Sequence, residues 1–155
     1  ALIADAPYVP TRSSVLRAII NELSLTDQSV VYDLGCGDAR LLLEAVHLHP
    51  HIRAVGVEIG PVPYWLGKWR TRKHKNIQLL RKNIFSTDVS KATHIYLYLF
   101  PHVIKKLMPS ILEQCAPGTI IASCDFEVAG REPFKVVELP NDGAKLSKRL
   151  LLYRV

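Results

Sequence analysis

The sequence predicts an α/β fold: a mostly parallel sheet, doubly wound with helices on both faces and finished by a C-terminal antiparallel hairpin. Three observations carry it. Short runs rich in β-branched and aromatic residues recur at 30–34, 52–58, 76–80, 92–99 and 119–123, with helical periodicity between most of them. The first run passes through Gly35 and Gly37 straight into a helical pattern, which is how a chain leaves a buried strand beside a ligand. Two last β runs, 134–139 and 150–155, are joined through Asn141-Asp142-Gly143 and a basic segment, and they read as a hairpin at the sheet edge.

Taken in order, residues 1–11 are irregular. Pro7 and Pro10 bracket Tyr8 and Val9 and favour an extended arm. Thr11 or Ser13 is the expected cap of a helix over 14–23, whose apolar face is Val15, Leu16, Ala18, Ile19 and Leu23. The central stretch is Val30-Val31-Tyr32-Asp33-Leu34-Gly35-Cys36-Gly37-Asp38. Its backbone N–H groups are expected to point into a ligand site, and a helix over 39–48 follows. A dinucleotide fingerprint wants a third glycine where this chain has Arg40, so that reading is weak. Asp33 stands two residues before the first glycine, and Glu58 ends the second β run, at the distance where a carboxylate can accept from both ribose hydroxyls. The plain alternative is a capping Asp33 and an exposed strand end at Glu58.

Pro61 and Pro63 suit a helix start, and the helix is expected to run to about residue 75. Trp65, Leu66 and Trp69 mark one side of it; Lys68, Arg72 and Lys75 mark another. In the plain reading the tryptophans pack on the sheet. In the functional reading this basic, aromatic helix meets anionic lipid or nucleic acid. The strand over 92–99 leads to Phe100-Pro101-His102 and a helix over about 103–115. The strand over 119–123 ends in Cys124-Asp125-Phe126, where Asp125 either orients an incoming amine or closes a turn.

Composition narrows the classes. The 155 residues suffice for one α/β domain, here divided into an arm and helix (1–25) and a sheet core (26–155). An apolar fraction of 48% excludes a disordered chain, and no apolar run is long enough to span a bilayer. Cys36, Cys115 and Cys124 are scattered and form neither a zinc pattern nor a disulfide framework. His47, His49 and His51 straddle a helix end and Pro50 and lack a completing ligand, so no metal is expected. Net charge is +6 and the isoelectric point about 9.3. The excess lies in one stretch: no acid stands between Glu58 and Asp88, where Lys68, Arg70, Arg72, Lys73, Lys75, Arg81 and Lys82 fall. The chain begins at Ala1 rather than Met, which is compatible with a missing upstream piece.

The Asp-Leu-Gly-Cys-Gly-Asp motif at 33–38 and the later Glu58 resemble the first and second motifs of class I S-adenosylmethionine-dependent methyltransferases. Nearly the whole chain follows their order of a Rossmann-like sheet with a closing hairpin. Within that class it looks like the small prokaryotic relatives of the enzymes that methylate lysine in the c-ring protein of ATP synthase. The shared stretches are Pro-Tyr-Val-Pro-Thr at 7–11, Tyr-Asp-Leu-Gly-Cys-Gly-Asp at 32–38, Gly-Val-Glu at 56–58, Tyr-Leu-Tyr-Leu-Phe-Pro at 96–101 and Pro-Gly-Thr at 117–119. Relatives usually carry Ser or Gly at Cys36 and Gly at Ala39. The resemblance implies S-adenosylmethionine as cofactor. It implies a binding set of Tyr8, Thr11, Asp33, Gly35, Cys36, Gly37, Glu58, Ile59, Asn83, Ile84 and Tyr98, with Tyr8 and Thr11 in a lid and Asn83 reading the adenine amino group. Tyr98, Phe100 and Pro101 would flank the methyl as an aromatic substrate channel without a general base.

The favoured acceptor is a protein lysine. The chain lacks the Asn-Pro-Pro-type motif of enzymes that methylate exocyclic base nitrogens, although its basic stretch keeps RNA, or a small molecule, as an alternative. A non-catalytic cofactor-binding or scaffold protein is the third reading. Many members of this group carry a hydrophobic segment before the Pro-Tyr-Val-Pro motif. The resemblance therefore implies a membrane tether upstream of this chain as one form, with the basic stretch near anionic headgroups; a monomer on the cytoplasmic side is expected, and RNA is the other anionic partner the basic stretch admits.

Overall fold

In a computed structural model, residues 11–140 and 142–155 are described. Tyr8, from the expected lid, lies outside them. The elements run α1 (Ser13–Glu22), β1 (Val30–Leu34), α2 (Arg40–Leu48), β2 (Arg53–Val57), α3 (Pro61–Arg70), β3 (Ile77–Leu80), a 3-10 turn (Ile84–Ser86), β4 (His94–Leu97), α4 (Pro101–Gln114), β5 (Ile120–Cys124), β6 (Lys135–Glu138) and β7 (Arg149–Arg154). The seven strands lie in the order β3-β2-β1-β4-β5-β7-β6. β1 to β5 are parallel, and β7 runs antiparallel between β5 and β6. This is the doubly wound, mostly parallel sheet with a terminal hairpin that the sequence predicts.

The order creates the site. From β1 the chain steps outward to β2 and β3, then returns to the other side of β1 as β4. Connections therefore leave β1 and β4 in opposite directions, and a crevice opens beyond their carboxyl ends. Leu34 pairs with Val57 on one side and Leu97 on the other, so the three strands end level with one another. Side-chain alternation divides the core. Val31, Ala54, Tyr96 and Ala122 face α1 and α2, whereas Leu34, Val57, Leu97 and Ile121 face α4. Only the 3-10 turn separates β3 from β4, because 81–93 holds no apolar periodicity long enough for a helix.

Several boundaries differ from expectation. α1 is capped by Arg12, without a side-chain hydrogen bond, rather than by Thr11 or Ser13. α3 stops at Arg70, where Thr71 turns its hydroxyl back onto the Gly67 carbonyl at 2.8 Å. β4 is shorter than the apolar run 92–99, since Tyr98, Leu99 and Phe100 already belong to the loop that opens α4. Trp65 and Trp69 do not pack on the sheet; both are exposed.

Candidate active site

The turn after β1 is built of left-handed residues: Gly35 at φ +85°, Gly37 at +56° and Ala39 at +71°. The first two suit glycine. Ala39, the residue just before α2, adopts a conformation that costs an L residue about 1–2 kcal/mol and that glycine would adopt freely. The amides of the turn do not point into the crevice as expected. Gly35 and Cys36 both donate to the Val57 carbonyl, at 2.8 and 3.0 Å. Gly37 donates to Glu58 Oε1 at 2.9 Å, while the other oxygen of that carboxylate takes the Gly60 amide at 2.8 Å. β2 therefore claims the donors, and the turn offers room instead. A Cβ on Gly37 would meet nothing within 4 Å. Cys36 comes to the site by its backbone alone. Its thiol fills the core against Gly56, where a Cβ would lie 2.7 Å from the sulfur, and burial pushes the thiol pKa well up.

Asp33, at the end of β1, is buried, and among the described residues no hydrogen bond reaches its carboxylate. Burial first and the Glu58 charge second push its carboxyl up to about 8. Asp33 pairs with Gly56 and Leu34 with Val57, so Asp33 and Glu58 stand at the same end of two neighbouring strands. A buried carboxylate without a donor is costly on its own, and a cationic ligand group relieves it. Glu58 is half-buried; each of its oxygens already holds one amide and has a further lone pair for a hydroxyl.

On the β2–β3 side, Ile59 is exposed and Ile84 half-buried. Arg81 Nε donates to the Ile59 carbonyl at 3.3 Å and ties the two loops together. Asn83 is exposed, and its Oδ1 accepts from the Phe85 amide at 3.0 Å to cap the 3-10 turn. Its carbonyl accepts from the hydroxyls of Ser86 and Thr87. One Oδ1 lone pair and the amide nitrogen of Asn83 carry no bond among the described residues, which suits acceptance from an adenine amine together with donation to a ring nitrogen.

Beyond β4 and β5 an aromatic group gathers. Phe126 packs edge-on to Phe100 at 5.6 Å and tilted to Tyr98 at 6.2 Å, and His102 stacks on Phe100 at 6.3 Å. Pro101, exposed, is the first residue of α4. Asp125 is neither a loose turn residue nor an amine acceptor. Its carboxylate takes the Tyr98 hydroxyl at 2.7 Å and the amides of Ser147, Lys148 and Arg149 at 2.7, 2.7 and 3.1 Å. Tyr98 is thereby locked, and burial raises its phenol above the ordinary range, so it presents a ring rather than a base. Sequence reasoning missed Phe126; its place directly after the acid that ends β5 was the available signal. Thr11 lines a cavity of about 500 Å³ between α1, α2 and the end of α3 that also touches Arg40 and Arg70. Among the described residues no group of three His, Cys, Asp or Glu side chains could hold a metal ion.

A family model described as the ANTKMT methyltransferase domain matches residues 33–135. A protein-lysine N-methyltransferase of Saccharolobus islandicus is 31% identical over 140 residues, covering 88% of this chain and 87% of that one. A lysine N-methyltransferase of Caenorhabditis elegans, named for the c-type subunit of ATP synthase, is 25% identical over 146 residues, covering 88% and 75%. Among solved structures, an RNA methyltransferase from Salinibacter ruber in complex with S-adenosyl-L-homocysteine superposes with a TM-score of 0.86 at 30% identity, covering 95% of this chain and 94% of that one. The open space over Gly37, the Asp33 carboxylate, which meets no donor among the described residues, and the spare lone pairs of Glu58 suit the close approach, the positive amino group and the ribose hydroxyls of such a nucleoside.

Proposed function

The chain belongs to the ANTKMT methyltransferase domain family and is an S-adenosylmethionine-dependent methyltransferase, and we propose that its acceptor is the ε-amine of a protein lysine. When bound, S-adenosylmethionine supplies an electrophilic methyl group on a cationic sulfur. Asp33 answers the positive charge of the amino-acid end, Glu58 holds the ribose, and Ile59 and Ile84 give apolar cover to the base beside the Asn83 amide nitrogen. Tyr98, Phe100 and Phe126 form the acceptor wall.

The observation that carries this reading is that wall, with its neighbouring acid already spent. Asp125 is saturated by three amides and a phenol. No carboxylate is left there to take a proton, which suits an acceptor that can shed its own proton to water. A lysine near pKa 10.4 is charged at neutral pH, and an aromatic, poorly solvated channel favours its neutral form once it enters. Ring faces also attract the approaching ammonium. The S. islandicus relative, a protein-lysine N-methyltransferase, supports the same acceptor.

RNA is the second reading. The S. ruber relative, an RNA methyltransferase, favours it, together with the seven basic residues between Glu58 and Asp88. Incubation of a lysate with methyl-tritiated cofactor separates the two. Lysine methylation predicts label that survives nuclease, is lost to protease and maps to lysine by peptide mass spectrometry. Label lost to nuclease would refute it.

A further inference from the structure

We propose that the outer face of α3 is a docking surface for an anionic membrane. α3 sits on the fold through its smallest residue. Gly67 is its one buried position, and a Cβ there would lie 3.0 Å from Leu79 Cδ1 and 3.3 Å from the backbone of Asp38. The helix backbone therefore rests on β3 and the turn after β1, and other sides of the helix turn outward. Val62, Trp65, Leu66 and Trp69, spaced as one helical stripe, face solvent. They are 77, 60, 38 and 61% exposed, and Ile59, 41% exposed, precedes them in the loop from β2. A stripe of this spacing ordinarily faces a core; here it is turned away from one.

Its flanks are basic. Lys68, Arg72, Lys73 and Lys75 are exposed, and the Arg72 guanidinium lies 4.3 Å over the Trp69 ring. No acid interrupts the sequence from 59 to 87. The charge selects the occupant. A second copy docking on this stripe would bring two basic flanks together. RNA would use the cations and stack on the indoles, but Val62 and Leu66 offer nothing to a base or a phosphate. The boundary of an anionic bilayer uses both halves: indole rings at the headgroup level, aliphatic side chains just below, and Lys and Arg against the lipid charge. Among the described residues no helix is long and apolar enough to cross a membrane, so α3 would lie in the interface. The stripe begins at Ile59, beside Glu58, so docking would bring the cofactor crevice near the lipid surface. The proposal does not depend on which acceptor is methylated.

Both tryptophans of the chain are in the stripe, which makes intrinsic fluorescence a reporter of this face alone. The full chain is titrated with phosphatidylcholine vesicles and with vesicles carrying about one-third phosphatidylserine, by sedimentation and tryptophan emission. The expected result is binding to the anionic vesicles only, weakened by salt, with a blue-shifted emission quenched by brominated acyl chains. Trp65→Ser with Trp69→Ser should lower partitioning about tenfold or more. Lys68→Gln with Arg72→Gln should lower it about fivefold for each charge removed. Both pairs should leave S-adenosylhomocysteine binding unchanged by calorimetry, which also reports that the variants fold. Absence of any preference for anionic vesicles overturns the proposal, as does tryptophan emission that vesicles leave unmoved. It is likewise overturned by a dimer that the Trp variants dissolve, or by an RNA oligonucleotide that shifts the emission where vesicles do not.

Discussion

Asp33 ends β1 at the crevice with no donor to its carboxylate among the described residues, and burial first and the Glu58 charge second push its carboxyl up to about 8. The other groups around it add no positive charge: the Cys36 thiol and the Tyr96 phenol are both pushed up by burial and stay neutral, and Asp38 is paired with Arg40 and Arg70. A ligand ammonium placed here requires the ionised form. Its binding must release a proton below pH 8, and affinity must rise with pH up to about 8, approaching tenfold per pH unit. Calorimetry with S-adenosylhomocysteine in buffers of different ionisation enthalpy measures this directly. Net proton release near pH 7 is expected, and Asp33→Asn should bind more weakly with a flat profile. A flat profile in the unaltered protein would remove Asp33 from the cation site. Packing is as tight one strand away. A Cβ on Gly56 would fall 2.7 Å from both Cys36 Sγ and Leu79 Cδ2, so Gly56→Ala should cost about 1–3 kcal/mol in urea unfolding.

At the scale of elements, one carboxylate joins three of them. Asp125 follows β5, fixes the Tyr98 ring beyond β4, and holds the amides that lead into β7. Its own φ is +65°, a value that Asp and Asn accept better than Ala. Asp125→Ala strands three amides and a phenol, and should destabilise the fold by about 2–4 kcal/mol in urea. Asp125→Asn keeps an acceptor oxygen and should cost less. Because Tyr98 loses its anchor, methyl transfer should fall further than S-adenosylhomocysteine affinity does. Equal losses in both would mean that the clamp does not position the acceptor wall. The strands around it were legible because a sheet covered on both faces writes near-continuous apolar runs, and the glycine turn was legible because left-handed backbone selects its residues. Other features had no local signal. Whether the amides of Gly35 and Cys36 face a ligand or the Val57 carbonyl is decided by the register of β2. The stripe of α3 is visible in the sequence, but the direction it faces is set by Gly67 lying against Leu79. Phe126 joins the site only because β4 and β5 are neighbours.

Across the whole molecule, His94 ties the N-terminal helix to the centre of the sheet. It opens β4, and its Nε2 lies 2.7 Å from the Leu23 carbonyl at the end of α1. A carbonyl only accepts, so Nε2 carries the proton, and Nδ1 faces the Thr93 hydroxyl at 2.8 Å. That hydroxyl gives its one proton to Nδ1 and accepts from the Val30 amide in β1 at 2.8 Å. Burial lowers the His94 pKa from its ordinary 6.5, with the Leu23 bond opposing. The unfolded chain therefore takes up the proton first as pH falls. Stability is full above pH 6.5 and declines on acidification until the folded ring also protonates. Asp33 acts in the opposite sense: its raised pKa favours the ligand-free fold at low pH, and that contribution is lost as pH rises toward 8. The two are separable because His94→Gln retains a donor for Leu23 but does not titrate. The difference in melting temperature between the parent protein and this variant should change in favour of the variant as pH drops from 7 to 5, and should be constant above pH 7. The same comparison in an Asp33→Asn background should give the same difference, since the two side chains reach the crevice and the α1 end of the sheet respectively. A difference that does not vary with pH would show that α1 is held to β4 without any contribution from the neutral imidazole.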